Sequence, residues 1–170
     1  MKTAIMALAI GICGLSSKSY GQQDTTWQKW NWLIGDWVGE GSGVPGQGGG
    51  WFSLQPDLGG KILMRKNHSE YPATKDKPEI IHDDLMIVYL DNAGQPAGAI
   101  YFDNEGHVIN YAIAYRERSI IFTGNRVQKM PVFRLTYAPL ANDSIAVKFE
   151  MSGDGNTFRT YTEGKCIRKK

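Results

Sequence analysis

The sequence predicts an all-β protein: an antiparallel up-and-down barrel of about ten strands behind a short helical turn, with a two-sheet β-sandwich as the alternative. Three observations carry that prediction. Apolar and polar residues alternate, as where Ile145, Val147, Phe149 and Met151 interleave with Ala146, Lys148 and Glu150, the period that sends successive side chains to opposite faces of a strand. The alternating runs are separated by short stretches at 91–94, 103–106, 141–144 and 153–156, rich in Asp, Asn and Gly, which tolerate positive φ or fold into Asx turns. After Gly35 no segment holds a helical period over several turns.

Each element follows from these rules. Trp27, Trp30 and Leu33 recur at helical spacing with Thr25 or Thr26 as a cap, predicting one short helix or 3₁₀ segment. Strands are then predicted at 36–41, 50–55, 61–71, 84–90, 98–103, 107–116, 119–123, 132–138, 145–151 and 157–168, the last bent or bulged. Pairing the last strand with an early one would remove the exposed edges. The glycine-rich stretch 39–50 is followed by no Gly-Lys-Ser/Thr and opens no helix, so it reads as a loop at the barrel mouth, free to act as a lid, and not as a phosphate cradle.

The N-terminus is expected to be processed. Lys2 supplies a positive start, residues 4–15 form an apolar run too short to span a bilayer, and small residues follow at Ser19 and Gly21. This is the pattern of a secretory signal peptide over 1–21, leaving 22–170 as a single barrel domain in a periplasmic or extracellular setting with no stable membrane insertion. Ile12 before Cys13 argues against lipidation. Lys2 and Lys18 leave with the signal, so the 19 basic residues fall to the number of acidic ones, 17. A neutral chain offers no nucleic-acid footprint. A domain of about 150 residues buries roughly 70% of its unfolded surface, enough for one self-sufficient core. Cleavage also removes Cys13 and leaves Cys166 as a lone thiol in a terminal strand, where it serves as a small buried hydrophobe.

At the segments Trp32-Leu33-Ile34-Gly35-Asp36-Trp37-Val38-Gly39-Glu40-Gly41, Gly59-Gly60-Lys61-Ile62-Leu63 and Val88-Tyr89-Leu90-Asp91 the chain resembles the calycin-type barrels. These are the lipocalin, fatty-acid-binding and nitrobindin-like proteins, and the pattern is closest to exported bacterial lipocalin-like families of unknown function. In lipocalins the Trp of Gly-x-Trp closes one barrel end beneath an Arg from the last strand. The resemblance therefore implies that Trp37 and Arg168 form a structural closure, with Arg159 as the fallback partner. Nitrobindin-like members hold haem through a histidine late in the barrel, whereas here the last histidine is His107, so no cofactor is implied. What the resemblance does imply is a cavity for a small, mainly hydrophobic molecule.

The candidate site centres on strand 61–71. One phase puts Arg65 and Tyr71 inside, where they would anchor the polar end of a ligand among Tyr101, Tyr111 and Phe133. The other puts His68 and Glu70 inside as a proton-transfer pair, and a hydrolase, isomerase or lyase would place His68, Glu70 or Tyr71 in the cavity. Both sides of this strand are mixed, so the sequence does not fix the phase; the expectation adopted has Arg65 and Tyr71 inside and His68 facing out. The aromatics Tyr101, Phe102, Tyr111, Tyr115, Phe122, Phe133 and Tyr137 are assigned to the core or pocket wall. His82, Asp83 and Asp84 with His68 and His107 supply metal-binding atoms without local concentration, and no metal is assigned. A carrier is the leading expectation ahead of an enzyme, and an envelope interaction protein with a filled barrel is the third class.

Overall fold

The computed structural model describes residues 26–41 and 48–170, and over that span the chain is a closed antiparallel barrel of ten strands. The predicted signal peptide and the centre of the glycine-rich loop lie outside the described residues. The strands are β1 (Gly35–Gly39), β2 (Gly49–Asp57), β3 (Ile62–Tyr71), β4 (Ile80–Leu90), β5 (Pro96–Asp103), β6 (Val108–Arg116), β7 (Ser119–Gly124), β8 (Val132–Pro139), β9 (Ser144–Ser152) and β10 (Arg159–Arg168). Each pairs with its neighbours in sequence, and β1 closes on β10 with Trp37 opposite Arg168 and Val38 opposite Ile167. Closure excludes the two-sheet alternative and leaves no edge strand.

The first element is the 3₁₀ alternative of its sequence reading, Gln28–Trp30, although its N-cap is Trp27 and not a threonine. Strand β4 begins at Ile80 and not at residue 84, because the polar run His82-Asp83-Asp84 continues the ladder opposite Ser69, His68 and Asn67. The irregularity expected in the last strand is present as a register slip between Thr160 and Thr162. Tight turns follow their residues: Asn142 (φ 57) and Asp143 (φ 49) are both left-handed, and the Asp91 carboxylate accepts from the N–H groups of Ala93 and Gln95.

Up-and-down winding sorts the structure into two ends. At one end the chain folds a plug of Trp27, Trp30 and Leu33 across the opening, all but fully buried. Trp30 Nε1 donates to Tyr115 Oη at 3.0 Å and Trp27 Nε1 to the Gly60 carbonyl at 2.7 Å. Trp37 Nε1 donates to the Leu33 carbonyl at 2.8 Å, and its ring lies 4.4 Å below the Arg168 guanidinium. Arg168 in turn donates to the Ile34 and Trp32 carbonyls, both at 2.7 Å. Gly35 explains the Gly-x-Trp spacing: its φ is +141, and a side chain there would run into the Arg168 guanidinium.

Among the described residues the opposite end carries no comparable plug. Inward-facing Asn67, Ser69, His82, Ile109, Phe133, Val147 and Phe149 are only half-buried there. The rim exposes Tyr71, Ile80, Val127, Met130 and Met151. A cavity of about 540 Å³ lies at this end against Pro131, Met151, Gly153, Asp154, Thr157 and Arg159.

Candidate functional site

Between plug and mouth the barrel holds a polar layer. Strand β3 alternates so that Leu63, Arg65 and Asn67 face inward while Lys66, His68 and Glu70 face outward. Arg65 is 6% exposed. Its Nη1 donates to Asp84 Oδ1, a diagonal partner on β4, since Met86 stands directly opposite Arg65 and Asp84 opposite Asn67. The guanidinium also lies over the Phe52 ring at 5.3 Å. Burial works against this cation, but Asp84, with Tyr137, Tyr101 and Tyr111 close by, outweighs it and holds the pKa above its ordinary value. The pair is a permanent, desolvated one, of the kind that costs several kcal/mol to break from one side.

Three tyrosines from β5, β6 and β8 surround the guanidinium, and burial raises the pKa of each hydroxyl, so all three stay neutral. Tyr101 Oη is engaged, 2.9 Å from His82 Nε2 and 3.3 Å from the Asp103 carboxylate that accepts its proton. Tyr111 Oη and Tyr137 Oη are buried and bond to no described residue, and the same holds for Arg65 Nε. Tyr137 Oη lies near enough to Arg65 that both its charge and side-chain hydrogen bonding to it oppose the rise in the tyrosine pKa, although no contact between them meets full hydrogen-bond geometry. An unmet buried polar group costs about 1–3 kcal/mol, and three around one guanidinium is an unusual local concentration.

Toward the mouth the layer continues through titratable groups. His82 Nδ1 lies 3.1 Å from Glu105 Oε1 and its Nε2 lies 3.6 Å from Asp84 Oδ2. The Asp84 hydrogen bond, opposed by burial and helped by Glu105, lifts the His82 pKa to about 9, so the ring is cationic at neutral pH. Burial disfavours the Asp103 charge, yet the N–H groups of His107 and Glu105 and the His107 ring at 2.9 Å hold its pKa below the usual carboxylate value. Arg65, Asp84, His82, Tyr101, Asp103 and His107 thus form one connected chain from mid-barrel to rim. Its inward charges are balanced.

The residues singled out by sequence fall in several places. Arg65, Tyr101 and Tyr111 meet in the polar layer, and Phe133 lies above it, stacked on Phe149 at 5.5 Å. Tyr71 faces inward too but stands at the rim, 37% exposed, its ring packed on Gly48. Six residues of strand, roughly 20 Å, separate it from Arg65, so it shares no ligand atom with that anchor. Trp37 and Arg168 sit together in the plug, and Arg159 is at the other end beside the rim cavity.

His68 lies outside with Glu70, the phase the sequence reading preferred and not the one its enzyme alternative needs, 2.7 Å from both Glu70 and Asp83 and stacked on Trp51 at 6.1 Å. Its pKa is raised first by Glu70 and then by Asp83. Phe102 is not pocket wall but outward and 39% exposed, because the β5 phase that buries Ala99 and Tyr101 turns it to solvent. Among the described residues no group of three His, Cys, Asp or Glu side chains converges as a metal site. Tyr137, Asp84, His82 and Asp103 are the site residues that sequence reasoning missed in this role. Extending the alternation of Met86 and Val88 back to Asp84 and His82 would have found two of them.

No family model matches the chain, and no curated protein matches it; its likeness to the calycin-type barrels rests on the closed ten-stranded antiparallel wall.

Proposed function

We propose that the chain is an exported lipocalin-like barrel that binds a small, mainly hydrophobic molecule, taken in through the unplugged end with one polar end held at Arg65, Tyr111 and Tyr137. The observation that carries this reading is the cluster of three unmet polar atoms inside the wall, overlain by the half-buried apolar side chains of Val147, Phe149, Phe133 and Ile109. A few converging polar groups at the base of an apolar chamber are what small-molecule sites in barrel mouths share. Export is supported by the signal-like pattern of residues 1–21.

The test is native mass spectrometry of protein purified from its own host, followed by denaturation. A retained small molecule that leaves on unfolding is the expected result. A bare chain mass, together with no binding of Nile red that Arg65→Met weakens, would overturn the reading in favour of a filled barrel. A catalytic version would rest on His82, which faces the chamber as a cationic acid, and not on His68. Loss of a turnover activity in His82→Gln with binding retained would establish it.

A further inference from the structure

We propose that the buried end of the ligand is an uncharged oxygen acceptor, a ketone, ester or amide carbonyl, and that the site discriminates against free carboxylates. This rests on the carrier reading and specifies its ligand class. The hydrogen-bond inventory supplies the argument. Arg65 Nε offers one donor, and the Tyr111 and Tyr137 hydroxyls can each offer another, while Arg65 Nη1 is already committed to Asp84. Each hydroxyl oxygen can accept from a neighbour and still has its own O–H to place, so the surplus in the layer is of donors. A carbonyl oxygen has two lone pairs and accepts two or three such donors without bringing charge.

Charge decides between a carbonyl and a carboxylate. An arginine alone in a barrel would attract an acid, but this one faces Asp84, whose side chain is 4% exposed. A second buried carboxylate, Asp103, also 4% exposed, lies beyond Tyr101. The basic groups available to offset them are Arg65 and His82, both already paired with Asp84, and the His107 ring, already held by Asp103. An incoming carboxylate would lose its hydration and meet two fixed negative charges with no unpaired positive one, which is the costly case for a buried ion. A carbonyl meets the same donors without that cost.

The experiment uses three chains of matching shape: methyl nonyl ketone, decanoate and undecane, titrated at neutral pH against the full protein freed of any bound molecule, with intrinsic tryptophan fluorescence and calorimetry as readouts. The ketone is expected to bind at least tenfold more tightly than decanoate and about tenfold more tightly than undecane. Tyr137→Phe and Tyr111→Phe, which keep the ring packing, are each expected to narrow the gap between ketone and undecane severalfold while leaving undecane unchanged. Asp84→Asn frees the Arg65 charge and is expected to reverse the preference toward decanoate. Decanoate binding as tightly as the ketone in the unsubstituted protein would overturn the assignment while leaving the carrier reading intact. If none of the three chains bound, the carrier reading and the assignment would fall together.

Discussion

The two halves of the barrel are built from the same alternating strands and yet are different kinds of interior. In the plugged half Trp30, Trp37, Leu63, Val88, Phe122 and Ile145 are at most 1% exposed, and the indole N–H groups of Trp27, Trp30 and Trp37 are each matched to a carbonyl or hydroxyl. In the mouth half the inward residues are only half-buried, and at the boundary polar atoms are left unmet. Polar satisfaction and packing together define the plug as scaffold. Around Arg65 the side chains are as closely buried, but polar satisfaction is missing, and that defines the place where the fold forgoes stability, which is where binding sites are expected.

The comparison breaks most readily at the plug. Trp37→Ala should cost about 3 to 5 kcal/mol, as large aromatic truncations in cores do, whereas Trp51→Ala on the outer wall should cost under about 1 kcal/mol. Chemical denaturation of the two variants measures this. A loss below about 1 kcal/mol at Trp37 would remove the distinction between the halves.

The polar layer should respond differently from a packed core. Arg65→Met leaves the buried Asp84 carboxylate with only His82, 3.6 Å away, to balance it, a cost of about 3 kcal/mol, while adding Asp84→Leu should recover most of it. The double variant is expected to fold at near-parental stability and to lose ligand retention. A double variant that stays as unstable as the single one would mean that the layer is structural.

How far these regions could be read beforehand differs in the same way. The ten strands were legible because alternation and turn residues are local properties, and the plug was legible through the short Gly-x-Trp motif. The polar layer was not, for two reasons. The β3 phase depends on Asp84 in a different strand meeting Arg65 diagonally, a non-local fact. His82-Asp83-Asp84 also has the composition of a turn, and only its pairing with β3 makes it a strand whose alternate members face in. Tyr137 shows a third limit: an inward aromatic is identifiable by period, but whether its hydroxyl finds a partner depends on the opposite wall.

A smaller effect distinguishes the halves by pH. His82 titrates at about 9 in the fold against 6.5 for the free side chain. A raised pKa means that the folded state holds the proton more tightly, so its contribution is complete below about 6.5 and is lost as pH rises through about 9. Unfolding midpoints should therefore fall across that window in the parent and flatten in His82→Gln, with the plug unaffected. A midpoint that rises over the same window would contradict the assignment. Smallest of all, Cys166, half-buried with its thiol pushed up to about 11 by burial, should react with iodoacetamide far more slowly at neutral pH than a free thiol. Labelling at the free-thiol rate would show that the barrel opens further than its geometry implies.

The Arg168 clasp has a consequence for how the barrel comes into being. Nine of the ten strand pairings join neighbours in sequence, but the tenth joins β1 to β10, and Arg168 reaches the Ile34 carbonyl across 134 residues of chain. Hairpins can zip one after another as the polypeptide emerges, yet the cylinder cannot shut until the final strand is available. Up to that moment β1 and β9 each present an unpaired edge, the arrangement most prone to adhere to another unfinished copy. A chain stopped before β10 would therefore be an open, adhesive sheet rather than a slightly shorter barrel, and the guanidinium over Trp37 acts as the latch that ends this exposure.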